Sequence, residues 1–271
     1  MGLGKDANTL GGQIRLFYAS PEFQGVSKSQ QTSYRTWLTR VDEHFGKTTL
    51  RMWTSREMRG HVLDWRNKSA DMPRSADEGV RAISRLMNWI VDYGWLPTNV
   101  LSGIDKLYEN DRSDLIWEDP HFAIFRPHAS VEVLEAVDLA ASTGMRRGDL
   151  VKLPWDAIYP DAIIWRTGRS KGRAVITVPL IPEIREVLAR IKARHAAEMD
   201  ARPSEKRKPV PKTILANSHW VPWTPTGFGS RFHDAKVASG LDRNFHDLRG
   251  TYIIRLILAG LTDEEVAKIV G

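Results

Sequence analysis

No cysteine occurs in the 271-residue sequence, which excludes a disulfide framework, a zinc–thiolate site and a cysteine nucleophile. No apolar run approaches the ~20 residues of a membrane span; Tyr252–Leu261 comes nearest, and Arg255 interrupts it. The opening Met1–Asp6 lacks the apolar stretch of a secretion signal. The 8 histidines are scattered, with no His-x-x-x-His pair, so no metal-ligand cluster is expected. No internal repeat and no low-complexity tract is visible. Together these absences describe a protein with no membrane partner, compatible with the cytoplasm.

What is present is the mix of an ordinary folded chain, 42% apolar and 27% charged. The length suits two modest domains. Lys and Arg total 39 against 33 Asp and Glu, a formal net charge of +6, which favours a polyanionic partner.

The first hundred residues read as short helices. Tyr34, Trp37, Leu38 and Val41 recur at helical spacing within Ser29–Phe45, and Met58, Val62 and Trp65 do so within Ser55–Lys68. Val80, Ile83, Leu86, Met87 and Ile90 form one stripe in Ser75–Tyr93. Basic residues such as Arg35, Arg40, Arg59, Arg66, Arg81 and Arg85 decorate these helices, and a solvated face is the plain reading of them. The charge-rich stretch Asp105–Asp119 lacks apolar periodicity and marks a linker. The expected division is a helical domain over 1–105, a linker over 106–122 and a second domain over 123–271. In that second part Ala162–Trp165 and Ala174–Val178 flank a hairpin turn, Thr167–Gly172. Helices surround the hairpin, and the last has a capping box in Thr262 and Glu265.

Three clusters there invite chemistry. Thr143-Gly-Met-Arg146 closes one helix and opens another that holds Asp149; Lys171 lies in the hairpin turn; His246 and Arg249 share a helix face. Each has a plain structural reading as well. Arg146 pairs with Asp149 at the surface, Lys171 is solvated, and His246 binds backbone at a helix start.

Order and context make the set specific. Thr143-Gly-x-Arg146 with Asp149, the hairpin Lys171 followed by a strand ending in Pro179-Leu180, and His246-x-x-Arg249 resemble the motifs of the tyrosine recombinases, the phage integrase family. Gly260–Gly271 is similar to the helix that runs into that family's Leu-Gly-His turn, and the helical first half to its core-binding domain. The resemblance implies a mainly α fold with a small β-sheet: a helical core-binding, SAM-like DNA-binding domain, then the mixed α/β catalytic domain, incomplete at its C-terminal end. It implies site-specific DNA recombination through a 3′-phosphotyrosine, without a metal or other cofactor. Double-stranded DNA is the implied partner, bound by a homo-tetramer when full length, in the cytoplasm and associated with the nucleoid.

In the implied chemistry Arg146 and Arg249 hold the negative charge of the phosphate, as planar and permanently charged groups suit. Lys171 protonates the leaving 5′ oxygen, His246 bonds the phosphate or takes the nucleophile's proton, and Asp149 orients Arg146. The family's tyrosine follows the Leu-Gly-His turn, and no tyrosine of this chain occupies that position. Six tyrosines are present; only Tyr252 lies near a motif, at a spacing that suits the core. The chain is therefore expected to bind DNA and not to cleave it. The alternatives are a catalytically inactive DNA-binding regulator of recombination sites and a type IB topoisomerase-like enzyme.

Overall fold

The computed structural model describes residues 5–109, 115–168, 174–201, 209 and 211–271. The chain divides into two compact units, Met1–Asn110 and Asp111–Gly271. Both are mainly helical, and the second holds a two-stranded antiparallel sheet. Among the described residues, no helix is long and apolar enough to cross a membrane.

The first unit is built from α1 (Leu10–Ala19), α2 (Pro21–Gln24), α3 (Lys28–Phe45), α4 (Glu57–Asn67) and α5 (Pro73–Asp92). Side-chain oxygens open three of them: Thr9 accepts from the Gly12 N–H, Ser20 from Phe23 and Ser27 from Gln30. Each satisfies an amide that the helix itself leaves unpaired. The stripe of α5 is buried at Ile83, Leu86, Met87 and Ile90, against Phe17, Phe23, Leu38 and Val41. Two α4 arginines tie down the segment that follows α5. Arg59 donates to the carbonyls of Val100, Ser102 and Gly103, and Arg66 to that of Asp105. Asp77 then accepts from the Leu107 and Tyr108 amides, so the chain as far as Tyr108 is fastened to the first unit.

The second unit opens inside the stretch expected to be a linker. Trp117 is fully buried there; its amide donates to the Thr251 hydroxyl at 2.7 Å and its indole to the Asn244 carbonyl at 3.0 Å. Residues 115–122 are thus packed structure, and α6 (Asp119–Phe125) starts within them behind a Glu118–His121 capping box. One aromatic among charges gives no periodicity, which is why the sequence reads as aperiodic at this point. After α6 come α7 (Val131–Thr143), α8 (Arg147–Leu150), β1 (Ala162–Arg166), β2 (Val175–Pro179), α9 (Pro182–Asp200), α10 (Pro225–Ser239), α11 (Asp247–Leu258) and α12 (Asp263–Val270). Helix α7 packs against α9, α10 and α11. The sheet pairs Ala162 with Pro179 and Arg166 with Val175, and turns Ile163, Ile176 and Val178 into the core. Helix α9 buries His195 between the rings of Trp155 and Trp220. Neither of its ring nitrogens finds a hydrogen-bond partner among the described residues.

Candidate functional site

The site begins at the end of α7. Thr143 turns its hydroxyl back to the Leu139 carbonyl at 2.6 Å, and Gly144 takes the left-handed conformation with φ 63°. That is the usual way to stop a helix with glycine. A second reason for glycine is space, since a Cβ at residue 144 would lie 2.4 Å from the Tyr252 ring. The chain then runs extended through Arg146, which sits at the N-cap position of α8. On the other side of the contact, Tyr252 belongs to α11, and Arg249 is one turn before it.

The two arginines meet. Arg146 donates through Nη2 to the Gly271 carbonyl at 2.7 Å, and Arg249 donates through its own Nη2 to the same oxygen at 2.8 Å. Arg249 is also anchored through Nη1, which donates to the carbonyls of Gly144 at 3.0 Å and Val270 at 2.8 Å. One guanidinium is therefore fixed to the α7 and α12 ends while both point donors at one oxygen. That oxygen belongs to Gly271, the last residue of the sequence, and it is the kind of acceptor that charged, planar donors suit.

His246 is exposed immediately before α11. With Arg146, Arg147, His233, Lys236 and Asn244 it lines an open cleft of about 540 Å³. Asn244 fixes the turn that carries it. The Asn244 amide donates to the Asp247 carboxylate at 2.6 Å, its carbonyl accepts the Trp117 indole, and its Oδ1 accepts from Lys236 Nζ at 2.7 Å. Sequence reasoning singles out neither Asn244 nor Trp117 in this role, because the partners are far apart in the chain and form no motif.

Asp149 differs from expectation. Its buried carboxylate accepts from the Gly168 amide at 2.7 Å and the Trp165 indole at 3.4 Å. No ion pair joins it to Arg146 among the described residues. The acid is instead attached to the base of the β1–β2 hairpin, because the short α8 turns it inward while Arg146 stays half-exposed. Lys171, expected on that hairpin, lies outside the described residues. Tyr252 is buried against Gly144 and beside Val266 and Val270, and burial raises its pKa above the ordinary phenol value. It fills core.

Comparison with known proteins supplies the family. The phage integrase family profile matches residues 121–271. The integrase of Escherichia phage HK022 is 24% identical over 278 residues, covering 91% of this chain and 74% of that protein. The fold is similar to that of a lambda integrase tetramer bound to a Holliday junction, with a TM-score of 0.75 and 19% identity over 97% of this chain and 74% of that one. It is also similar to the Tn1549 transposon integrase in complex with circular intermediate DNA, with a TM-score of 0.67 and 13% identity over 97% of this chain and 91% of that one. With the matched region extending over more than half of its length, the chain belongs to the phage integrase family of tyrosine recombinases.

Proposed function

We propose that this chain acts in site-specific DNA recombination, integration or excision, on double-stranded DNA. The observation that carries the reading is the convergence of Arg146 and Arg249 on one oxygen. In the proposed reaction a tyrosine hydroxyl attacks phosphorus, the bond to the 5′ oxygen breaks, and a 3′-phosphotyrosine forms. The two guanidinium groups hold the charge that develops on the non-bridging oxygens. Lys171 gives the leaving 5′ oxygen its proton, on a hairpin whose base Asp149 fastens through Gly168 and Trp165. His246, at the mouth of the cleft, bonds the phosphate or accepts the tyrosine's proton. Attack by a 5′ hydroxyl of another strand reverses these steps, so bond energy is conserved and no cofactor enters. Strand exchange between two DNA sites calls for a homo-tetramer, the assembly captured for the lambda integrase on a Holliday junction. The work is done where the DNA lies, in the bacterial cytoplasm.

Residues 1–271 are proposed to bind DNA without cutting it, because Tyr252, the tyrosine nearest the arginines in sequence, is held in the core. Incubation with a suicide DNA substrate should yield no covalent adduct, and an adduct mapping to Tyr252 overturns this. Extended by the family's tyrosine-bearing helix, the chain should form the adduct, and Arg146→Ala or Arg249→Ala should abolish it while duplex binding persists. Cleavage by either variant at the parental rate would refute the phosphate clamp.

A further inference from the structure

Beside the paired arginines is a third cation for which the motifs give no reason. Arg147 is exposed on the first turn of α8, next in sequence to Arg146, and both line the same cleft of about 540 Å³. Its guanidinium lies across α10 at Gly229, where a Cβ would sit 2.8 Å from Nη1. Glycine costs about 1 kcal/mol relative to alanine inside a helix, and at this position it leaves the room the guanidinium occupies. From Gly229 the same face of α10 continues, at four and seven residues, to His233 and Lys236. Both line the cleft, as does His246. Among the described residues no carboxylate lines it. Lys236 is attached through its ammonium to Asn244, so its charge is fixed at the cleft wall.

We propose that Arg147, with His233 and Lys236, forms a second phosphate-binding subsite, which grips a phosphodiester flanking the one held by Arg146 and Arg249. The inference rests on the DNA-recombination reading above and adds a specific contact to it. A strand gripped at two phosphates is fixed in direction as well as position, because phosphate contacts set register and orientation on nucleic acid. Two separate subsites also explain why adjacent arginines at 146 and 147 diverge, one toward Gly271 and the other across α10.

The salt dependence of duplex binding counts phosphates. Each lost contact lowers the slope of log affinity against log salt by about 0.9. Binding of the 271-residue chain to a fluorescent duplex is measured across a salt series. Arg147→Ala should reduce the slope by about 0.9, with a similar loss of affinity on unrelated sequences. The Arg146→Ala/Arg147→Ala double variant should lose about twice as much as either single variant. Gly229→Leu should not lower the thermal unfolding midpoint, because it removes a helix-interior glycine and only the far end of a flexible side chain has to move, and should lower the slope as Arg147→Ala does. A double variant no weaker in salt dependence than Arg146→Ala alone overturns the proposal, because the two arginines then serve one phosphate. A Gly229→Leu slope equal to that of the unsubstituted chain overturns the placement of Arg147 over α10. If the unsubstituted chain binds no duplex at all, the recombination reading fails and the subsite falls with it, a result distinct from binding that ignores Arg147.

Discussion

In the first unit Arg59 and Arg66 of α4 turn their guanidinium groups onto the carbonyls of residues 100–105, closing a segment of their own unit. In the second unit Arg146 and Arg249 bring theirs to a single oxygen, and Arg146 also faces an open cleft. The residue type is the same, and in the sequence both pairs are simply basic positions on helices. The difference lies in where the acceptors sit and whether two guanidinium groups share one. Where backbone carbonyls take three donor contacts from one guanidinium, as at Arg59, the group works as a fastener. Arg249 is held by three backbone oxygens as Arg59 is, but it shares the Gly271 oxygen with Arg146, which lines the open cleft. Positive charge in this molecule therefore meets its acceptors in two ways, spread over a following segment or gathered at one oxygen beside a cleft.

The largest effect that could break this comparison comes from the fasteners. Hydrogen bonds to charged groups each contribute roughly 1.5–3 kcal/mol, so Arg59→Ala/Arg66→Ala should destabilise the first unit by about 3–4 kcal/mol in denaturant unfolding. The salt slope of the folded fraction should not change. A variant that keeps its stability and loses slope would make these arginines DNA contacts, and the contrast would vanish.

Next in size is a split within the second pair. Arg249 joins the α7 end to the α12 end through Gly144 and Val270, and its replacement by alanine should cost about 2 kcal/mol. Arg146→Ala should cost less than about 0.5 kcal/mol, as expected of a half-exposed side chain outside the core. Equal unfolding midpoints for the two variants would show that Arg249 is no anchor.

The smallest effect moves the comparison from arginine to histidine. Burial first, and then the Arg194 charge, push the His195 pKa down to about 4. The unfolded chain, with an ordinary value near 6.5, takes up a proton before the folded one does. The contribution of the neutral ring is therefore complete above about pH 6.5 and is lost as the pH falls toward 4. At most about 3 kcal/mol is involved, reduced to about 1–2 by solvent screening. His195→Phe should flatten the stability profile between those limits while leaving DNA binding intact. An unchanged profile would mean that the enclosed ring does not govern acid sensitivity.

Much of the fold is legible in the residues. The α5 stripe, the Thr262–Glu265 box of α12 and the flanks of the hairpin all follow local periodicity or capping, and the structure has them within a few residues. Helix α1 is harder to read, because Gly11 and Gly12 suggest a break and only packing in the first unit makes them helical. Trp117 and α6 were hidden among charges for a related reason, since their order comes from Thr251 and Asn244 far along the chain. In the site, Arg146, Arg249 and His246 are visible because their motifs are local. The acceptors of Asp149, the clamp on Asn244 and the path of Arg147 over Gly229 are tertiary facts, which no spacing encodes.

The contact between Gly144 and the Tyr252 ring acts as a gauge. Arg146 follows one side of it by two residues and Arg249 precedes the other by three, so the thickness of one aromatic ring helps set the gap between the two guanidinium groups. A buried tyrosine thereby helps to space two arginines. Any side chain in place of the glycine would press on that ring and push α7 and α11 apart.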